Sequence, residues 1–307
     1  MASRRKTSQQ ILAELEAEDD GLPTRPIGIW SLEKLATLLL YFRAFSNACR
    51  SAGGGYYVDG LSGPGVCRIK GAKQPPYRVW GSPLLALRAR PEFVRCILLD
   101  KNVRTAEILR ARVAAYGDRA SVHEGDVNLE LARLVREQVP PRAPCFCLLD
   151  PQGTELSWAT VSSVALTPGR TRKPELLILF PLRMGLLRLL TTKRPVSPKR
   201  RERLDSTFPS REWWSTYVAR LKGRISPARA KSRYLDLYCA GIKALGYRWV
   251  RSKPIKAPLG PGMGRQEMYN LIFATDHGAG EKIMQDVFQR PYVLDFPVSE
   301  QPPLFEQ

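Results

Sequence analysis

The sequence predicts an α/β fold, a mostly parallel sheet closed by an antiparallel last pair and interrupted by a basic helical insertion. Three observations predict it. Five short apolar runs alternate with helix-length segments, four of those runs end in an acid, and the alternation breaks once, between about Met184 and Arg233. Continuous apolar strands separated by helices belong to a parallel sheet covered on both faces.

Residues 1–29 read as a loosely attached leading segment, punctuated by Gly21, Pro23 and Pro26. Ser31 reads as the N-cap of a helix to about Cys49, with Leu32, Leu35, Leu38, Leu39, Phe42 and Phe45 on one side and Lys34 in its first turn. The first strand, Tyr56-Tyr57-Val58-Asp59, runs into a turn carrying Gly60, Gly63 and Gly65. This turn lacks the spacing of a dinucleotide fingerprint and the Gly-Lys-Ser/Thr of a P-loop. An acid at the strand end suits a cationic ligand instead. A basic, proline-bearing loop with Arg68, Lys70, Lys73, Arg78 and Trp80 follows, and Gly81-Ser82-Pro83 starts a helix to about Arg90.

Next come the strand Cys96–Asp100, a helix from about Val103 to Tyr116, the strand around Ser121-Val122-His123 leading to Asp126, and a helix from about Leu129 to Gln138. Cys145–Asp150 is the fourth strand and Pro174–Pro181 the fifth. Ligands of such sheets bind beyond the carboxyl ends of the strands, so Asp59, Asp100, Asp126 and Asp150 are expected to converge on one crevice. The alternative for each is that it caps the helix after it. After the insertion, a helix from about Tyr234 to Leu245 leads to the strands Gly246–Val250 and Gln266–Ala274, with no helix between them, hence antiparallel. A helix from about Gly280 to Gln289 ends the core.

The 307 residues suffice for one large α/β domain plus an insertion. Lys and Arg outnumber Asp and Glu by 48 to 29, a net charge of +19, which implies a polyanionic partner, nucleic acid before an anionic membrane. The longest apolar run, Leu35 to Phe42, is too short to span a bilayer. No apolar signal core follows Arg4-Arg5-Lys6, so a cytoplasmic protein is expected. Six cysteines lack paired CxxC spacing, and His123 and His277 are the only histidines. A zinc site or a serine-histidine triad is therefore not expected.

Between residues 183 and 233 stand fifteen Lys/Arg against three acids, a net +12. Arg183, Lys199, Arg200 and Arg201 suit phosphate contacts and Trp213-Trp214 suits base stacking, unless the tryptophans pack in a small core of their own. The expected division is therefore a leading segment 1–29, an α/β domain of 30–182 with 234–292, a nucleic-acid-binding insertion 183–233 in which Arg68, Lys70 and Arg78 assist from outside, and a tail 293–307.

Five βα units closed by an antiparallel hairpin resemble the Rossmann-like, seven-stranded sheet of class I S-adenosylmethionine-dependent methyltransferases. The chain also resembles the three-Cys-motif partner proteins. The matching landmarks are Trp30 with Lys34-Leu35, Tyr57-Val58-Asp59-Gly60-Leu61-Ser62-Gly63-Pro64-Gly65, Gly81-Ser82-Pro83-Leu84, Gly125-Asp126-Val127-Asn128, Asp150-Pro151-Gln152-Gly153 and Tyr269–Thr275. The resemblance implies S-adenosylmethionine as cofactor. Asp59, Gly60, Gly63 and Gly65 would hold its methionine end, Asp100 its ribose hydroxyls, and Asp126 would lie by its adenine.

Asp150-Pro151-Gln152-Gly153 would face the methyl group, with Gly153 where amino-methylating enzymes carry an aromatic. Ribose 2′-O-methyltransferases are similar in placing a lysine before the first strand, an acid after the fourth and a glutamate at the last strands. Lys34, Asp150 and Glu267 take those places. The expected function is methyl transfer to nucleic acid, RNA ahead of DNA, at a ribose oxygen or a base nitrogen. The alternative is a catalytically inactive nucleic-acid-binding partner protein that keeps the sheet.

Overall fold

The computed structural model describes residues 6–71, 77–191, 196–258 and 265–290; Lys73, the Gly/Pro-rich stretch 259–264 and the tail 293–307 lie outside them. In chain order the helices are α1 (Ser8–Leu15), α2 (Ser31–Ala48), α3 (Ser82–Leu87), α4 (Val103–Val113), α5 (Val127–Gln138), α6 (Trp158–Ala165), α7 (Leu187–Leu189), α8 (Pro198–Thr207), α9 (Trp213–Leu221), α10 (Pro227–Ala244) and α11 (Gly278–Gln289). The strands are β1 (Arg25–Ile27), β2 (Tyr56–Asp59), β3 (Val66–Ile69), β4 (Arg78–Trp80), β5 (Arg95–Asp100), β6 (Ala120–Glu124), β7 (Cys145–Leu149), β8 (Glu175–Phe180), β9 (Trp249–Pro258) and β10 (Arg265–Thr275).

The main sheet has seven strands in the order β6-β5-β2-β7-β8-β10-β9. β2 lies inside the sheet, parallel to β5 on one side and β7 on the other, and β10 runs antiparallel to both β8 and β9. This is the Rossmann-like, mostly parallel seven-stranded sheet with an antiparallel end that the sequence predicts. The chain winds outward from β2 through β5 and β6, then crosses back to β7. A crevice opens where the winding reverses, between the carboxyl ends of β2 and β7.

Alternating side chains along each strand feed two separate cores. Tyr57, Leu98, Phe146 and Phe273 face one layer with α1, α2, α3, α4 and α11, whereas Val58, Ile97, Cys147 and Ile272 face the other with α5, α6 and α8 to α10. The first layer is aromatic: Phe42 meets Tyr57, Phe93 and Phe146 with ring centroids 4.9 to 5.6 Å apart, edge-on. Such pairs add directionality to apolar burial and fix α2 against the sheet.

Three local expectations are corrected. Ser31 opens α2 but is not its cap; Trp30 holds that position without a side-chain hydrogen bond. The basic loop after the glycine turn contains β3 and β4, which join β1 in a second, three-stranded sheet. The leading segment is not loosely attached, because Ile11 and Leu15 of α1 are buried in the first core and β1 pairs with β3.

One arginine holds that segment down. The Arg112 side chain is 2% exposed, and its guanidinium donates to both carboxylate oxygens of Asp20 and to the carbonyls of Leu22, Pro23 and Pro64. Those hydrogen bonds hold the Asp20 carboxyl below its ordinary pKa. Arg112→Ala is expected to cost about 2 to 4 kcal/mol, because several buried acceptors lose their donor at once. Limited proteolysis checks it: cleavage between α1 and β1 should precede any cut in the core.

Candidate functional site

The carboxyl ends of β2, β5, β6 and β7 surround two adjoining cavities. The larger, about 460 Å³, is lined by the glycine turn, Asp100, Asp126, Asp150 and Glu155, a volume within the range of small-molecule sites. The smaller, about 200 Å³, lies toward α2 and the small sheet, against Trp30, Lys34, Lys70 and Tyr269. Arg25, Leu61, Gly63, Pro64, Asp150 and Gln152 border both.

The glycine turn is shaped by its neighbours. Gly63 (φ 66°) and Gly65 (φ 87°) are left-handed, a conformation that residues with a Cβ adopt at a cost. The Gly63 N–H donates to Asp100 at 2.9 Å, and the Asn102 N–H donates to the other oxygen of the same carboxylate at 2.9 Å. Asp100 thus aligns the turn and still has lone pairs facing the cavity. Asp126 borders the cavity and also caps α5, accepting from the Asn128 N–H at 2.7 Å. Ligand crevice and helix cap coexist at this acid.

Asp59 is placed differently from the expectation. It is fully buried beneath the turn and accepts from the Tyr57 hydroxyl (2.7 Å), the Ser82 hydroxyl (2.7 Å) and the Leu61 N–H (3.2 Å). Burial pushes its pKa up to about 6 against these three donors. Three of the four strand-end acids line the hollow, and the fourth supports its floor.

Lys34, in the first turn of α2, donates to Asp150 at the end of β7 in an ion pair whose side chains are 13% and 16% exposed. The loop beyond Asp150 is pinned from α5: the Asn128 side chain donates to the Glu155 carbonyl and accepts from the Ser157 N–H and the Thr160 hydroxyl. Gly153 stands where an aromatic would be expected, and a Cβ on it would meet only Glu155 Oε2 at 3.7 Å; the tight position is Gly185, at the start of the insertion, where a Cβ would lie 3.1 Å from the Gly153 Cα. Glu267, grouped by sequence with Lys34 and Asp150, instead bonds the Asn270 amide on its own strand and borders neither cavity. Tyr269, two residues on at a shift in the β9–β10 register, lines the smaller cavity.

The basic residues divide. Arg68 is exposed on β3, and Lys70 is exposed at the smaller cavity. Arg78 is engaged by Asp19 at 2.7 Å, and Arg183 is half-buried in the first turn after β8. On α8, Lys199 and Arg201 are exposed and Arg200 half-buried; the Arg201 guanidinium lies 4.4 Å from the centre of the Trp214 ring. Trp213 is a core residue, buried with its indole N–H on Asp205 at 2.9 Å, and is not available for stacking.

Burial pushes the Cys145 thiol up to about 12 and Cys147 well above its ordinary value, the opposite of what a nucleophile needs. Among the described residues, no group of three or more His, Cys, Asp or Glu is placed to hold a metal ion, and no helix is long and apolar enough to cross a membrane. Sequence reading missed Arg25 and Tyr269 at the cavities and Arg112 behind them. Arg25 carries no sequence signal beyond its proline-flanked place in the leading segment.

No protein-family model matches the chain, and no curated protein matches it. Solved structures resemble it at low identity. They include a Legionella pneumophila protein (10% identity, 82% of this chain and 89% of that one covered, TM-score 0.47) and an O-methyltransferase from Bacillus cereus in complex with SAH (12% identity, 87% and 88% covered, TM-score 0.43). An S-adenosylmethionine-dependent O-methyltransferase from Thermotoga maritima is also similar (8% identity, 79% and 63% covered, TM-score 0.36). The fold itself stands on the strand order of this chain.

Proposed function

We propose that the chain is an S-adenosylmethionine-dependent methyltransferase acting on nucleic acid, RNA ahead of DNA, at an oxygen or nitrogen that loses a proton on methylation. The observation that carries this reading is Asp150, a carboxylate pinned by Lys34 on the wall shared by two adjoining cavities. A transferase needs such a group where donor and acceptor meet.

The larger cavity fits the donor by charge. Its lining carries Asp100, Asp126, Asp150 and Glu155 against Arg25 and Lys101, an acidic excess suited to a ligand with sulfonium and ammonium groups. Asp100 would take the ribose hydroxyls, Asp126 would lie by the adenine, and the turn from Gly60 to Gly65 would pass under the methionine end. When bound, the donor supplies a methyl group already activated on sulfur.

The residues of the chain then orient and neutralise. Asp150 accepts the proton of the acceptor O–H or N–H as the new bond to methyl forms and the bond to sulfur breaks. Lys34 holds that carboxylate in one orientation, so it is a positioning residue. The exposed Lys199 and Arg201 and the rest of the +12 insertion would meet the phosphate backbone.

The second reading, a partner protein that binds nucleic acid without transfer, is favoured by Gly153, which offers no ring for a flipped base. Two measurements decide between them. Calorimetry with S-adenosylhomocysteine is expected to give a 1:1 complex, and tritiated donor is expected to label total RNA more than DNA. Nucleic-acid binding without label in either would favour the partner protein.

A further inference from the structure

Arg25 is a cation without an answering group. It stands on β1, half-buried, on the wall common to both cavities, and a Cβ on Gly63 would lie 3.3 Å from its Nη1. Among the described residues its guanidinium makes no hydrogen bond and no ion pair. Its neighbours in the same part of the fold are matched: Arg78 by Asp19 and Arg112 by Asp20. None of the Arg25 nitrogens is among the buried unpartnered atoms, so its donors stay open to an acceptor that enters from the cavity.

The two cavities differ in sign. The smaller one is lined by Arg25, Lys34 and Lys70 against a single acid, Asp150, which Lys34 already engages. Lys70, just past β3 and held there by its N–H on the Ile27 carbonyl at 2.9 Å, brings a second cation to the rim. An anion is therefore repelled by the larger cavity and drawn to the smaller. The planar fork of arginine matches two oxygens of one phosphate, with Lys70 as a point charge beside it.

We infer that Arg25 and Lys70 form the seat for a phosphate of the acceptor strand, next to the group that Asp150 deprotonates. This rests on the methyltransferase reading, and it ties the small sheet to acceptor binding. The competing source of an oxyanion is the carboxylate at the methionine end of the donor, which would occupy the larger cavity that Arg25 also borders.

The experiment compares wild type with Arg25→Ala, Arg25→Lys and Lys70→Ala, using a labelled mixed-sequence oligoribonucleotide and, separately, S-adenosylhomocysteine. Arg25→Ala is expected to weaken oligonucleotide binding about tenfold and to reduce the salt slope by about 1, as loss of one phosphate contact does. Arg25→Lys is expected to restore the slope and Lys70→Ala to mimic the loss, with S-adenosylhomocysteine affinity unchanged in all three. Weakened S-adenosylhomocysteine binding with an unchanged salt slope would overturn the phosphate seat in favour of the donor carboxylate. A wild type that binds S-adenosylhomocysteine but no oligonucleotide overturns the acceptor assignment on which the seat rests.

Discussion

Lys34→Met is expected to lower methyl-transfer turnover by about 100-fold or more, within the range contributed by a positioned acid or base, while the affinity for S-adenosylhomocysteine stays near that of wild type. The ammonium reaches Asp150 from α2 across the crevice, so its loss leaves the carboxylate free to rotate away from the acceptor. Asp150→Ala should fall at least as far. The informative variant is Lys34→Arg, which keeps the ion pair but cannot give up a proton at ordinary pH. If Lys34 only positions Asp150, Arg should recover most of the lost kcat with little change in KM. An Arg variant as slow as Met would instead make Lys34 itself the proton acceptor.

Asp59→Ala is expected to destabilise the fold by about 3 to 5 kcal/mol, since the Tyr57 hydroxyl, the Ser82 hydroxyl and the Leu61 N–H would lose their acceptor inside the core. In a chain of this size that lowers Tm by roughly 5 to 8 °C. The effect depends on pH in a stated direction. The folded carboxyl titrates near 6, above its ordinary 3.8, so the folded state holds the proton more tightly than the unfolded chain. Stability from this group is complete below pH 3.8 and declines as pH rises through 6, by about 3 kcal/mol in all. Melting curves of wild type and Asp59→Ala should therefore draw closer from pH 4 to pH 7. A variant that melts like wild type yet no longer binds S-adenosylhomocysteine would return Asp59 to the ligand.

The parallel core was legible because its strands are buried on both faces, which leaves unbroken apolar runs such as Cys145–Leu149 and Glu175–Phe180. The second sheet was not. Its strands are three or four residues long and carry Arg25, Pro26, Arg68 and Arg78, a composition that reads as loop. The acids at the strand ends were visible as a set, but sequence cannot tell a carboxylate that looks outward, like Asp150, from one turned inward onto hydroxyls, like Asp59. Trp213 and Trp214 are adjacent in sequence and differ in fate, one buried on Asp205 and the other flanked by Arg201, because a helix points neighbours in different directions. Arg112 meets its partners on stretches far away in sequence, beyond the reach of any local pattern.

The contact between Gly185 and Gly153 has a practical consequence for anyone dissecting the cationic helices. Main chain rests on main chain there, with no side chain between to absorb a shift. Cutting residues 187–233 away would therefore disturb the segment after Asp150 as well as remove charge, and a dead truncation would say nothing about what the helices bind. Reversing the sign of exposed groups such as Lys199 one at a time leaves that junction whole and isolates the electrostatics.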